Sequence, residues 1–196
     1  MKEKLLIVAI LSASFAAALD NKTESPANEI VTEPGAGSIE FEAIGRPNML
    51  VIKGTGEGVT SSLTVVNSTI SGEIKFNLES LKTGIEIRDQ DMKEKYLQTK
   101  SYPVAKIVFD KFQMPAGWNI KSPKVVTSSF RGKLTLHGVE KEITGLFTIS
   151  PDFSKTTAKF DVKLSDFKIQ TPVYLGIKVA DFVKVNVTIN KIIVVK

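Results

Sequence analysis

The chain has no cysteine and only one histidine among its 196 residues. Without thiols it forms neither disulfides nor thiolate metal sites. A single imidazole also leaves too few nitrogen ligands for a zinc or iron centre. We therefore expect no metal and no cofactor, and a fold that is held together by apolar burial alone.

Polar aromatic side chains are scarce as well, since one Trp and three Tyr stand against eleven Phe. Because phenylalanine has no polar atom, this bias favours a dry interior over stacking platforms for bases. The formal net charge is +5, but the lysines alternate with acidic residues, as in Lys93-Glu94-Lys95. We therefore expect a solvated surface and no nucleic-acid partner.

The first 18 residues have the pattern of a cleavable signal peptide. Two lysines precede an apolar run from Leu5 to Phe15, and Ala16-Ala17-Ala18 supplies small residues for cleavage. The run is shorter than the roughly 20 residues that a membrane-spanning helix needs. The sequence thus predicts export to the periplasm, a flexible polar leader over residues 19–36 and a single domain over residues 37–196.

From residue 37 onward, apolar and polar residues alternate in segments that are separated by turn residues. The clearest segment runs from Thr69 to Leu78, where Ile74 and Phe76 alternate with Glu73 and Lys75. This alternation predicts eight or nine strands with one dry and one wet face, and it excludes a parallel sheet that is covered on both sides. A solid β-sandwich and a closed antiparallel barrel both fit the pattern.

The glycine-rich sequence KGTGEG, from Lys53 to Gly58, has a superficial likeness to a phosphate-binding loop. Such a loop requires a helix N-terminus directly after the glycines, whereas residues 59–66 continue as a strand pattern. We expect these glycines to form a tight hairpin instead. The alternative is that their successive amides bind a diphosphate at the mouth of a barrel.

One segment, residues 83–109, interrupts the alternation. Ile85 and Ile87 stand two apart, as on the buried face of a strand. Asp91 and Glu94 then have the spacing of a capping box, which predicts a short helix around residues 91–99 that ends before Pro103. A helix with an apolar edge between two strands indicates a lid over an enclosed interior.

Residues with catalytic potential do not form a recognisable set. His137 falls at a strand end before Gly138, without a nucleophile in a familiar context, so we expect a hydrogen-bonded turn histidine. Arg88 and Asp89 are expected to form an ion pair that anchors the helix. An alternative role for Arg88 is contact with a phosphate headgroup at the rim of a barrel, which a guanidinium suits. The sequence therefore predicts that the protein is not an enzyme.

Three blocks occur in a characteristic order. The first contains Thr83-Gly84-Ile85, Arg88-Asp89, Met92, Tyr96-Leu97 and Tyr102-Pro103, followed by Ile107 and Phe109; the second is Gly132 to Ile143; the third is Asp181 to Val187. Together, over roughly residues 37–196, they resemble the YceI-like family of polyisoprenoid-binding proteins. The resemblance implies an all-β fold, an elongated eight-stranded antiparallel barrel of lipocalin-like shape that holds a long isoprenoid or acyl chain.

On this basis we predict a periplasmic carrier for a polyisoprenoid, fatty acid or fatty amide, bound by burial that contributes about 0.8 kcal/mol per methylene. Strand parity and the helix edge predict the lining residues: Ile74, Phe76, Ile85, Ile87, Met92, Leu97, Ile107, Phe109, Phe130, Leu134, Leu136 and Phe160. The alternative is a solid-core β-sandwich that acts as an interaction or adhesion module without a small-molecule ligand.

The expected partner is an amphiphilic lipid or isoprenoid, with transient contact between the protein and a membrane surface. The sequence leaves the oligomeric state open, a homodimer included. It also leaves open whether the ligand is carried, stored or sensed.

Overall fold

The computed structural model of the protein describes residues 27–32, 36–46, 50–121, 124–174, 176–190 and 192–195. The predicted signal peptide lies outside the described residues, as do residues 19–26 and 33–35 of the predicted leader. In the described part of the chain, no helix is long and apolar enough to cross a membrane.

The described residues form a twelve-stranded sheet whose strand pairs are all antiparallel. The strands are β1 Asn28–Thr32, β2 Gly37–Arg46, β3 Val51–Glu57, β4 Thr60–Val66, β5 Thr69–Asn77, β6 Val104–Gln113, β7 Val126–Leu136, β8 Val139–Ile149, β9 Lys155–Lys163, β10 Val173–Tyr174, β11 Ile177–Asn190 and β12 Ile192–Val195. One α-helix, α1 Glu86–Gln90, continues into a π-helical turn, Asp91–Tyr96, and two 3₁₀ turns cover Leu78–Ser80 and Leu164–Phe167.

The strand pairing closes into a ring. Strands β4 to β9 pair in chain order, and β9 pairs with β11. In turn β11 pairs with β2, while β12 pairs with β1 and β1 pairs with β4. In the chain β12 follows β11, and β1 precedes β2. The two long strands β11–β12 and β1–β2 therefore pair along their length and join the two ends of the sheet. The pairing of β2 with β3 continues into that of β1 with β4 through bonds from the amides of Gly58 and Val59 to the carbonyl of Gly37.

Counted as continuous paths, with β1–β2, β3–β4 and β11–β12 each taken as one, the barrel has eight strands. The predicted all-β, eight-stranded antiparallel barrel with one short helix is confirmed. The alternative of a β-sandwich is wrong, since two stacked sheets would leave edges that are not paired across.

The strand β1 lies within the segment that the sequence assigns to a flexible leader. It pairs with β12 on one side and with β4 on the other, and Ile30 is buried. The predicted start of the domain at residue 37 is therefore too late. The pattern of NEIVT is too short to indicate a strand. The strand β1 is stabilised by backbone pairing with residues that are distant in the sequence, which a local pattern does not show.

The predicted helix is present, but it begins at Glu86 and not at Asp91. Its N-cap is Ile85, which makes no side-chain capping bond, and Asp91 lies inside the helical stretch. The predicted capping box is therefore wrong. The helix starts a turn earlier because the Asp89 carboxylate accepts a 2.7 Å bond from the amide of Thr83, which holds the entering chain against the first turn.

The side chains of Ile85 and Ile87 do not face the interior. Since the helix begins beside them, they leave the strand pattern, and they are 41% and 64% exposed. Their prediction as buried lining residues is wrong.

The glycines of KGTGEG lie within β3 and not in a hairpin, so the predicted tight turn is wrong for Gly54 and Gly56. Both face inward, and a Cβ on Gly54 would lie 2.3 Å from Cε1 of Phe41. A Cβ on Gly56 would lie 2.6 Å from Cζ of Phe76. These glycines make room for aromatic rings inside the barrel, while the left-handed turn falls at Gly58, with φ +87°.

Candidate functional site

One end of the barrel interior encloses a cavity of about 200 Å³, here called the upper chamber. Its wall consists of inward-facing strand residues, the lid segment 78–97 and residues 164–174. The lining residues are Ile39, Phe41, Ala43, Ile52, Phe76, Leu78, Leu81, Thr83, Arg88, Asp91, Met92, Tyr96, Leu97, Ala105, Leu134, Leu136, Phe160, Val162, Leu164, Ile169, Pro172, Val173, Tyr174, Val179, Val183 and Val185. Apolar cavities of about 150 Å³ stay dry and bind small hydrocarbons.

The segment from Leu78 to Pro103 connects β5 to β6 and pairs with β3 at one residue. Thr55 of β3 exchanges two backbone bonds of 2.8 Å with Lys82, and the amide of Leu78 donates to the carbonyl of Pro103 at 2.8 Å. Within this segment the amide of Leu97 bonds to the carbonyl of Met92 in the π-helical turn. A π-helical turn of this kind occurs frequently at functional sites.

Two side chains hold this lid in place. The hydroxyl of Tyr96 donates to the carbonyl of Val173 at 3.2 Å and accepts from its amide at 3.0 Å. The hydroxyl of Thr99, a buried polar residue, bonds to the carboxylate of Glu79 and to the carbonyl of Lys93. Tyr96 therefore fixes the lid to β10, and Thr99 links two turns of the segment Leu78 to Pro103 to each other.

The polar side chains of the upper chamber gather near the lid. Arg88 donates from Nε to Oγ1 of Thr83 at 2.8 Å and from Nη2 to the Thr83 carbonyl at 2.9 Å. Its guanidinium carbon lies 5.6 Å from the centroid of the Tyr174 ring. This set of residues orients the guanidinium with two of its five donors in use. The wall of the upper chamber is thus apolar over most of its length, with Arg88 and Asp91 as its charged members.

The predicted ion pair between Arg88 and Asp89 is wrong. Both side chains bind Thr83, and among the described residues no carboxylate pairs with Arg88. The helical geometry points neighbouring residues in different directions, so adjacency in the sequence does not bring the two charges together.

A second cavity of about 110 Å³, here called the lower chamber, occupies the other half of the interior. It is lined by Leu63, Ile70, Ile74, Ile107, Phe109, Phe112, Met114, Phe130, Phe147, Ile149, Thr156, Ala158, Phe160, Val187 and Ile189. Thr156 supplies the one polar side chain of this set. The interior of the barrel is therefore not a solid core.

Ten of the twelve predicted lining residues lie on a chamber wall. Phe76, Met92, Leu97, Leu134 and Leu136 line the upper chamber, Ile74, Ile107, Phe109 and Phe130 line the lower one, and Phe160 lines both. Ile85 and Ile87 line neither. Contact between these residues and a ligand stays a prediction.

Sequence reasoning missed other parts of the wall. Ile39 and Phe41 share the inward parity of their strand and could have been found by the same rule that found Phe76. Leu164, Ile169 and Pro172 come from a 3₁₀ turn and the loop after it. That stretch has no strand period, so the sequence carries no signal for it.

His137 is a hydrogen-bonded turn residue, as predicted. It has φ of +50°, its Nδ1 donates to the carbonyl of Phe167 at 3.1 Å, and its ring lies 4.6 Å from that of Tyr102. It lies on neither chamber wall. Within the described ranges, no three His, Asp or Glu side chains approach closely enough to hold a metal ion.

The closed antiparallel barrel with apolar chambers and one polar end has a lipocalin-like shape. The model of the YceI-like domain matches residues 32–191 of the chain. The chain therefore belongs to the YceI-like family. The matched range begins at the end of β1, which agrees with the earlier start of the domain.

Solved structures have the same fold. A polyisoprenoid-binding domain from Saccharophagus degradans superposes with a TM-score of 0.62 at 14% identity, over 83% of this chain and 98% of that one. BcnA from Burkholderia cenocepacia gives 0.60 at 20% identity, over 79% and 96%. The YceI protein from Campylobacter jejuni gives 0.50 at 19% identity, over 76% and 87%. Among curated proteins, none matches the chain.

Proposed function

We propose that the protein is a non-enzymatic carrier that holds one long apolar chain in the upper chamber. The observation that carries this proposal is the cavity of about 200 Å³ with an apolar wall inside a closed barrel. The part of a chain that lies in such a space loses its contact with water, so each buried methylene contributes about 0.8 kcal/mol without a polar contact. Affinity then depends on chain length more than on the headgroup.

The ligand is an amphiphile whose headgroup lies at Arg88. Thr83 and Tyr174 hold the guanidinium at the end of the chamber, and no carboxylate of the described residues forms a direct ion pair with it. A carboxylate or phosphate fits this group best, because a guanidinium binds planar and tetrahedral oxyanions through paired N–H donors.

The chemical class of the chain is a polyisoprenoid, a fatty acid or a fatty amide. Membership of the YceI-like family supports the isoprenoid, since a structural neighbour from Saccharophagus degradans is described as a polyisoprenoid-binding domain. The charge of Arg88 favours an acid over an amide.

We place the protein in the periplasm, where it exchanges its ligand by transient contact with a membrane surface. Export rests on residues 1–18, which have the pattern of a signal peptide. Ile85, Ile87 and Val173 support membrane contact, because they are exposed apolar residues on the lid and beside it.

A pair of probes tests the headgroup position. Arg88→Gln should weaken binding of palmitate about tenfold, since a charged hydrogen bond is lost, and leave binding of palmitamide nearly unchanged. Arg131→Gln is the matched control, because Arg131 lies on the outer face in an exposed pair with Glu142. Equal losses for both probes would mean that Arg88 acts on the lid through Thr83. Absence of binding in the parent protein would refute the carrier function itself.

A further inference from the structure

The two chambers share a single lining residue, Phe160. On β9, Val162 lines the upper chamber, whereas Ala158 lines the lower one. The same division occurs on β11, where Val185 faces the upper chamber and Val187 the lower. The interior is therefore divided across the barrel axis at the level of the Phe160 ring.

The position of this ring follows from its strand partners. Phe160 pairs across to Gly145 of β8, and Gly145 pairs on its other side with Phe130 of β7. Because Gly145 has no side chain, the rings of Phe130 and Phe160 meet edge to face, with centroids 6.1 Å apart and planes at 85°. A Cβ on Gly145 would lie 2.6 Å from Cε1 of Phe130. The glycine thus permits two rings to form a partition across the interior.

We propose that Phe160 determines the length of the chain that the protein binds, by closing the upper chamber at its inner end. This inference rests on the proposed carrier function. A chain that enters with its headgroup at Arg88 fills the upper chamber until its end meets the Phe160 ring. Further methylenes stay outside or must displace a ring that is 9% exposed and packed against Phe130.

The consequence is a break in the dependence of affinity on chain length. Below the break each added methylene tightens binding about fourfold, because it is buried. Above the break an added methylene has no buried site and changes affinity little. Removal of the ring joins the lower chamber of about 110 Å³ to the upper one and moves the break to longer chains.

The test is a displacement titration of a bound fluorescent fatty acid with straight-chain acids from decanoate to docosanoate. We compare the parent, Phe160→Ala and Phe147→Ala. Phe147 is the matched control, because it is a buried phenylalanine that lines the lower chamber only. The expected result is a break at the same length in the parent and in Phe147→Ala, and at a greater length in Phe160→Ala.

Other outcomes contradict the inference. An affinity that rises without a break to docosanoate in the parent means that Phe160 does not end the chamber. An unchanged break in Phe160→Ala means that another group does. If Phe160→Ala does not fold, Phe160→Leu retains a buried side chain and should give a smaller shift in the same direction. Absence of binding in the parent refutes the carrier function and is thereby distinguished from failure of the length rule.

Discussion

The substitution Ala105→Leu distinguishes a hollow interior from a filled one. Ala105 lies on β6 directly across from Phe76 of β5, and its side chain lines the upper chamber. Leucine adds three carbon atoms at this position. In a chamber with free space they enter the cavity, whereas in a solid core they collide with their neighbours.

The two cases differ in the sign of the change in unfolding free energy. Burial of three carbons stabilises by about 2.4 kcal/mol, and ordering the leucine side chain costs about 0.5–1 kcal/mol. The expected net effect on the ligand-free protein is a stabilisation of about 1.5 kcal/mol. Overpacking of a solid core would instead destabilise by about 1–3 kcal/mol.

Uptake should change in the opposite sense to stability. The added carbons take the space of about three methylenes of the ligand, which removes about 2.4 kcal/mol of binding and weakens a chain that fills the chamber about fiftyfold. A gain in stability together with a loss of affinity is therefore the signature of a ligand chamber.

The assay is urea unfolding of delipidated protein, since bound ligand would itself raise stability, followed by displacement of a fluorescent fatty acid. Ala116→Leu is the matched control, because Ala116 lies in an exposed turn after β6. It should change neither quantity. A destabilised Ala105→Leu with parental affinity would refute the reasoning.

Three further predictions concern other positions. His137→Gln should lose a hydrogen bond and a ring contact, which lowers the unfolding free energy by about 1–3 kcal/mol and leaves ligand affinity unchanged. Loss of affinity without loss of stability would make His137 a binding residue. Hydrogen bonds from the side chain and amide of Ser154 and the hydroxyl of Ser150 hold the pKa of Asp152 at about 2, below its ordinary 3.8. These hydrogen bonds stabilise the fold fully above about pH 4, and their contribution is lost as the pH falls towards 2. Asp152→Asn should therefore flatten the dependence of the unfolding free energy on pH over that range. An unchanged slope would contradict this. Gly145→Ala should destabilise more than Gly132→Ala in urea unfolding, because its Cβ would lie 2.4 Å from a backbone oxygen, whereas that of Gly132 meets a methyl group at 3.0 Å; equal losses would contradict the partition geometry.

Local alternation was sufficient to predict most of the longer strands and the side of each that faces inward. The parity of Phe76, Leu134 and Phe160 depends only on the period of two within each strand, so these residues could be placed from the sequence. The closure of the barrel could not be predicted in this way, because β1 and β12 pair with partners from the opposite ends of the domain. Only the resemblance to the YceI-like family indicated it.

A short-range hydrogen bond explains the errors in the lid. The sequence offered Asp91 as a capping residue, but Thr83 and Asp89 start the helix earlier and leave Ile85 and Ile87 exposed. The sequence also did not reveal that the glycines of β3 make room for aromatic rings. Gly54 is required because the ring of Phe41, on the paired strand β2, lies over it. The local sequence around Gly54 does not show which strand pairs with β3.

Native mass spectrometry of the protein purified from its own cell envelope tests the carrier function most directly. We expect a complex of the chain with one long-chain amphiphile, released on denaturation, with a mass that identifies an isoprenoid or an acyl acid. The same spectrum gives the oligomeric state. Protein that carries no such ligand, and that takes up neither fatty acids nor isoprenoids in displacement assays, would contradict the carrier function.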